Sequence, residues 1–162
     1  MPKQEPVDAS PFKYEKADDS AGFLLWKITA LWQSKLAKVL GDFAITQTQY
    51  AILASLAWFE EKGEPITQAH LVAHTKIDKM TLSKAIRRLE EAGLVIRQDS
   101  SKDSRAFNVG FSVQGKVLIQ QAIVAIESAD EEFFSCLSTQ ELQAYKRLTS
   151  AVIMNNRLAA GE

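Results

Sequence analysis

Between Lys76 and Arg88 five basic side chains, Lys76, Lys79, Lys84, Arg87 and Arg88, stand against one acid, Asp78. That density is enough to neutralise phosphates, although the same run can serve as the solvated face of an ordinary helix. His70 and His74 lie four apart on one helix face and could ligate Zn²⁺. Leu71, however, stands where a zincin motif has glutamate, and no Cys or His lies nearby to complete the set. The single cysteine, Cys136, is flanked by Phe133, Phe134 and Leu137, whereas redox sensing needs an accessible thiolate of low pKa. None of the seven glycines falls in a phosphate-cradling or nucleophile-elbow pattern. No acidic cluster has the spacing of a glycosidase or a metal cage. Catalysis, a metal and a cofactor are therefore not expected.

Composition sharpens the interest in the basic run. The chain has 162 residues, 46% hydrophobic and 24% charged, with a net charge of −1. Taken alone, near-neutrality argues against a polyanion partner. Yet residues 67–105 carry a charge of +3 and the remainder −4, so the sum hides a segregation. A chain of this length buries roughly 70% of its unfolded surface and forms one domain without metal or disulfide. No apolar run approaches the ~18 residues of a membrane span, and the N-terminus lacks the apolar core of a secretory signal. With one cysteine and no internal disulfide, a cytoplasmic protein with no membrane association is expected.

The elements that must position these residues follow from periodicity and caps. Residues 1–19, with Pro2, Pro6 and Pro11 and no helical or strand period, read as a flexible arm. Residues 20–162 read as a single domain. From Gly22 to Leu40 apolar residues recur at helical spacing on more than one stripe, so this helix packs on two sides. Thr46 and Gln49 form a capping box, with Ile45 and Tyr50 as its hydrophobic staple, and start a helix to about Glu60. Ile66, Thr67 and Leu71 repeat the pattern for a short helix to about Thr75, and Ile77, Asp78 and Leu82 repeat it again. Two helices so closely joined make a helix-turn-helix, with the basic run on the second. That second helix, Asp78 to Ala92, has an apolar stripe of Leu82, Ala85, Ile86 and Leu89 and ends at Gly93-Leu94, a left-handed stop. Residues 95–98 and 106–111 read as two short strands around the polar loop DSSKDSR, with Phe107, Val109 and Phe111 on one face. Ser112 caps a long helix, and Ser138 with Glu141 boxes a last one striped by Leu142, Tyr145, Leu148 and Val152. Those terminal helices carry more apolar surface than one subunit can bury, which points to a homodimer. The fold class is mainly α (α+β). Residues 20–45 and 112–160 are the dimerisation helices, and residues 46–111 form the winged helix-turn-helix lobe.

This order of elements resembles the MarR family of winged-helix transcription regulators over residues 22–158. DKMTLSKAIRRLEEAGLVIR is similar to its recognition helix and following strand. DSSKDSRA resembles its wing tip, with an Asp two residues before an Arg, and FSVQGK resembles the opening of its next helix. Two departures stand out: Ser104 replaces a second basic wing residue, and Gly110-Phe111 replaces the usual aliphatic strand end. The resemblance implies a homodimeric, sequence-specific binder of double-stranded DNA, usually a repressor, reading half-sites about 10 bp apart.

A recognition helix in the major groove presents short polar and basic side chains near its N-terminus to base edges, and its dipole favours phosphate. Lys79, Met80, Thr81 and Ser83 are the base-edge candidates. Lys84 and Arg87, further along, are phosphate candidates, as are Thr67 and Gln68 at the start of the preceding helix. For the wing, the resemblance implies insertion of Arg105 into the minor groove with Asp103 holding its guanidinium, and phosphate charge from Lys102. Arg88 and Arg97 are assigned instead to surface ion pairs with Glu91, Glu90 or Asp99. Trp26, Phe43, Tyr50 and Trp58 lie where the family places a pocket for a small aromatic or phenolic effector, although aromatics at helical spacing also build cores. An effector would act by changing the separation of the two recognition helices. A winged helix that contacts a partner protein instead of DNA remains the alternative.

Overall fold

The computed structural model describes residues 10–63, 66–99 and 107–160. They form α1 (Ala21–Gly41), α2 (Gln47–Glu61), α3 (Gln68–Thr75), α4 (Lys79–Glu91), β1 (Val95–Asp99), β2 (Phe107–Phe111), α5 (Val113–Phe133) and α6 (Thr139–Ala160). The fold is mainly α with one antiparallel hairpin, in the predicted order. The chain divides into two units, residues 1–35 and 36–162.

In the first unit, Ala17–Asp19 form a 3₁₀ turn within the segment expected to be a flexible arm. Two contacts order it. Asp19 accepts a hydrogen bond from the Lys16 N–H at 3.3 Å, and Asp18 pairs with Lys27 of α1 at 2.9 Å. Residues 1–9 of that arm lie outside the described residues. Within this unit Leu24, Leu25, Trp26 and Leu31 of α1 are exposed.

The second unit is built on one core. Ile52, Leu53 and Leu56 of α2, Leu71 of α3, Leu82, Ile86 and Leu89 of α4, Val95 and Val109 of the hairpin and Ile119 and Ile126 of α5 pack in it. The predicted caps hold this arrangement. Thr46 and Gln49 exchange hydrogen bonds at 2.9 and 3.1 Å, and Ser138 and Glu141 do so at 2.8 and 3.3 Å. The Glu141 carboxylate sits below its ordinary pKa because Ser138 donates to it from both backbone and hydroxyl.

At the end of α4 the Leu94 N–H donates to the Leu89 carbonyl and the Gly93 N–H to the Glu90 carbonyl, with Gly93 at φ +72°. This is the left-handed stop that glycine permits. The hairpin pairs Val95 with Phe111 through Asp99 with Phe107. A link not foreseen from sequence ties it to α3: the Val109 N–H donates to the Ile66 carbonyl at 2.8 Å, and Thr67 bridges Asn108.

Ser112 joins the end of α4 and the hairpin to α5. Its hydroxyl donates to the Gly93 carbonyl at 2.6 Å and accepts from the Gly115 N–H at 2.9 Å, while its own N–H donates to the Leu94 carbonyl at 3.1 Å. Gly115 lies so close to the Leu94 carbonyl that a Cβ there would collide with backbone. In α6 no described side chain is buried, and Leu148, Val152, Ile153 and Met154 are exposed, as are Val117 and Val124 of α5. Among the described residues no helix is long and apolar enough to cross a membrane.

Candidate nucleic-acid interface

The turn between α3 and α4 is only Lys76, Ile77 and Asp78. Lys76 takes the left-handed conformation at φ 58° and closes α3 by donating its N–H to the Val72 carbonyl. The Thr75 hydroxyl reinforces the turn, donating to the Leu71 carbonyl at 2.7 Å and accepting from the Ile77 N–H at 3.3 Å. Asp78 then caps α4, its Oδ1 accepting the Thr81 N–H at 2.9 Å. Hydrogen bonds from the Thr81 hydroxyl first, and its N–H second, hold the Asp78 carboxyl below its ordinary pKa. The ionised cap compensates the positive end of α4, so the dipole expected to favour a phosphate is already engaged.

At α3 the cap is neutral. Thr67 Oγ1 accepts the His70 N–H at 3.2 Å, and His70 Nδ1 accepts the Thr67 N–H at 3.4 Å. His70 thus acts as the third residue of a capping box, a role its sequence did not signal. His74 packs edge-on against Phe59, with ring centroids 5.0 Å apart. Both histidines have structural positions.

Burial of Leu82, Ala85, Ile86 and Leu89 turns the opposite side of α4 outward. A helix advances 3.6 residues per turn, so residues four apart share a ridge. Lys79, Ser83 and Arg87 follow one ridge and line a cleft of about 540 Å³ with Thr67, Gln68 and Phe107. Thr81, Lys84 and Arg88 follow the other flank and line a cleft of about 300 Å³ with Thr46, Thr48 and Gln49 from the start of α2. Met80 stands between the flanks and is 70% exposed. The described sequence candidates therefore fall together on one side: Thr67, Gln68, Lys79, Ser83 and Arg87 share the first cleft, Thr81 and Lys84 the second, and Met80 the crest.

The two arginines assigned to ion pairs part company. Arg97 Nε donates to Glu90 Oε2 at 2.8 Å, and its guanidinium lies over the Phe107 ring, 5.5 Å from the centroid. Arg88 forms no ion pair among the described residues. Glu90 is already committed to Arg97, and the Arg88 side chain lines the smaller cleft instead. The positional signal was available, since 81, 84 and 88 share a flank just as 79, 83 and 87 do. Lys102, Asp103 and Arg105 of the wing lie outside the described residues.

The aromatic candidates separate. Phe43 and Tyr50 pack against the core, and burial, with the nearby Glu127 charge as a lesser cause, pushes the Tyr50 phenol above its ordinary pKa. Trp58 is exposed beneath the Lys62 ammonium at 4.7 Å. Trp26 belongs to the first unit and is exposed. Neither cleft beside α4 is lined by any of the four. Cys136 is exposed after α5.

Comparison with known proteins agrees with this fold. Residues 45–106, from the entry to α2 into the wing, match the family model described as MarR family. The chain is 30% identical over 129 residues to the uncharacterized HTH-type transcriptional regulator YdcH of Bacillus subtilis, covering 80% of this chain and 88% of that one. A crystal structure of a probable transcriptional regulator from Pseudomonas aeruginosa superimposes with a TM-score of 0.73 at 26% identity, covering 85% of this chain and 99% of that one. The HTH-type transcriptional repressor Rv2887 of Mycobacterium tuberculosis is 23% identical over 82% of this chain and 93% of its own. Its crystal structure in complex with DNA gives a TM-score of 0.66 at 19% identity, covering 82% and 97%, and so shares the fold.

Proposed function

The chain belongs to the MarR family of transcriptional regulators, and from that premise we propose that it binds a pseudo-palindromic operator as a homodimer, represses transcription and is released by a small aromatic or phenolic effector. Membership makes it a regulator of transcription and not an enzyme. The observation that carries the DNA-binding reading is the outward side of α4. There Lys79, Lys84 and Arg87 form no ion pair among the described residues, opposite a stripe of four buried residues.

In this reading Lys79, Met80, Thr81 and Ser83 meet base edges. Met80 supplies the apolar contact that a thymine methyl accepts. Thr67, Gln68, Lys84 and Arg87 meet phosphates. On the wing, Arg105 enters the minor groove, held by Asp103, and Lys102 adds backbone charge. The exposed apolar residues of α5 and α6 support the homodimer, since large uncovered patches mark association surfaces. The repressor named above, crystallised with DNA, supports repression. An effector would meet Phe43, Tyr50 and Trp58 of the second unit or, separately, Trp26 of the first, and the protein works in the cytoplasm.

Selection of duplexes from a random pool, followed by gel shifts, tests this. A recurring pseudo-palindrome with half-sites about 10 bp apart is expected, with weaker binding by Arg105→Ala. Enrichment of no sequence over random duplex, at any salt concentration, overturns sequence-specific recognition.

A further inference from the structure

We propose that Lys84 and Arg88, with Thr46 and Thr48, form a second phosphodiester seat, taking the DNA strand opposite the one met by Thr67, Gln68 and Arg87. The assignment rests on the DNA-binding reading of α4. A helix with its side chains is about 10–12 Å across, and the major groove is about 12 Å wide. A helix lying in that groove therefore has a sugar-phosphate backbone along each flank. One flank of α4 is accounted for by the cleft that Thr67, Gln68, Lys79 and Arg87 line. The other flank faces the smaller cleft, whose lining holds Lys84 and Arg88 and no acidic residue.

Neither cation has an ion pair among the described residues. Glu91, the acid one turn from Arg88, forms no ion pair with it, and Glu90, two positions away on another face of the helix, is held by Arg97. Lys84 and Arg88 are also four apart on one helix, a like-charge spacing that costs stability unless an anion lies between them. The Thr48 hydroxyl forms no hydrogen bond among the described residues, and it lines the same cleft. Two uncompensated cations and an available hydroxyl in a concavity beside the reading crest suit a phosphodiester better than a base edge. This places Arg88, assigned from sequence to a surface ion pair, in the interface.

The test measures how affinity for a random-sequence duplex falls with salt. Each phosphate contact contributes about 0.9 to the slope of log affinity against log salt. Arg88→Gln is expected to reduce that slope by about 1 per bound protomer, while Arg88→Lys preserves it. Lys116→Gln removes the same charge beside Glu60, at the other end of α2 and about 20 Å from Thr46, and is expected to leave the slope unchanged.

An Arg88→Gln slope equal to wild type overturns the assignment, as does an equal fall in Lys116→Gln, which signals bulk charge. Loss in Arg88→Lys as large as in Arg88→Gln, with a lowered melting temperature in both, reassigns Arg88 to structure and also overturns it. Inorganic phosphate replaces DNA in a thermal-shift arm. Stabilisation of wild type but not Arg88→Gln, with unchanged duplex slopes, makes this a free-anion site and overturns the DNA assignment. Failure of wild type to bind any duplex at low salt defeats the DNA-binding reading itself, an outcome distinct from equal slopes.

Discussion

Asp78 shows how one side chain sets both stability and polarity at the tip of α4. Its carboxylate accepts from Thr81, and those bonds lower its pKa from an ordinary value of 3.8. The folded protein therefore holds the Asp78 proton more weakly than the unfolded chain. The cap contributes fully above the unfolded pKa, and its contribution is lost as pH falls through the folded one. Asp78→Ala is expected to lower the melting temperature at neutral pH, with the gap to wild type closing as pH falls below the ordinary carboxylate value and through the lowered folded one. Asp78→Ser, which caps without charge, should show no such closing. Melting curves across that range check both, and a constant gap for the alanine variant contradicts the carboxylate's role. Arg88 and Arg97 teach a second lesson at this scale. Sequence offered both the same acidic partners, and only the fold decided that Arg97, on β1, reaches Glu90 first.

At the scale of elements, the joint at Ser112 links α4, the hairpin and α5 through three hydrogen bonds and one close backbone approach. Ser112→Ala removes a helix cap and a bond to the Gly93 carbonyl and is expected to cost about 1–2 kcal/mol. Gly115→Ala forces the start of α5 away from the Leu94 carbonyl and is expected to cost at least as much, roughly 1–3 kcal/mol. Urea denaturation measures both, and an alanine at 115 that leaves stability unchanged would contradict the close approach. Much of this level was legible in the residues because caps are local. Thr46 with Gln49, Ser138 with Glu141 and Gly93 with Leu94 each act within a few positions. What stayed hidden depends on distant partners or unusual residue choices. The Ile66–Val109 bond joins segments far apart in sequence. Lys76 takes a left-handed turn where glycine would be the expected signal, and His70 caps where glutamate or glutamine is usual. In the candidate site, the ridge of Lys79, Ser83 and Arg87 followed from helical spacing, but the cleft shared by Arg88 and Thr46 required the packing of α2 against α4.

At the scale of the molecule, α6 buries none of its described side chains, and its predicted stripe at Leu148 and Val152 is exposed. If α5 and α6 form the homodimer, the pair Leu148→Glu and Val152→Glu should yield a folded monomer by light scattering. Operator binding should fall with it, because two recognition helices held about 10 bp apart act as one ligand. A double variant that stays dimeric overturns this placement of the interface. Charge is likewise segregated, with +3 on residues 67–105 and −4 elsewhere, so attraction to a polyanion is concentrated on the segment that holds α3, α4 and β1. The Ser112 joint carries one more consequence. The chain departs from it at Gly93 and returns at Ser112, and the hairpin between is held a second time where the Val109 N–H donates to the Ile66 carbonyl. Lengthening or shortening the segment between Asp99 and Phe107 leaves the α4–α5 joint untouched. A graft between Asp99 and Phe107 thus alters the proposed minor-groove contact alone, while the two anchors keep α4, the hairpin and α5 together.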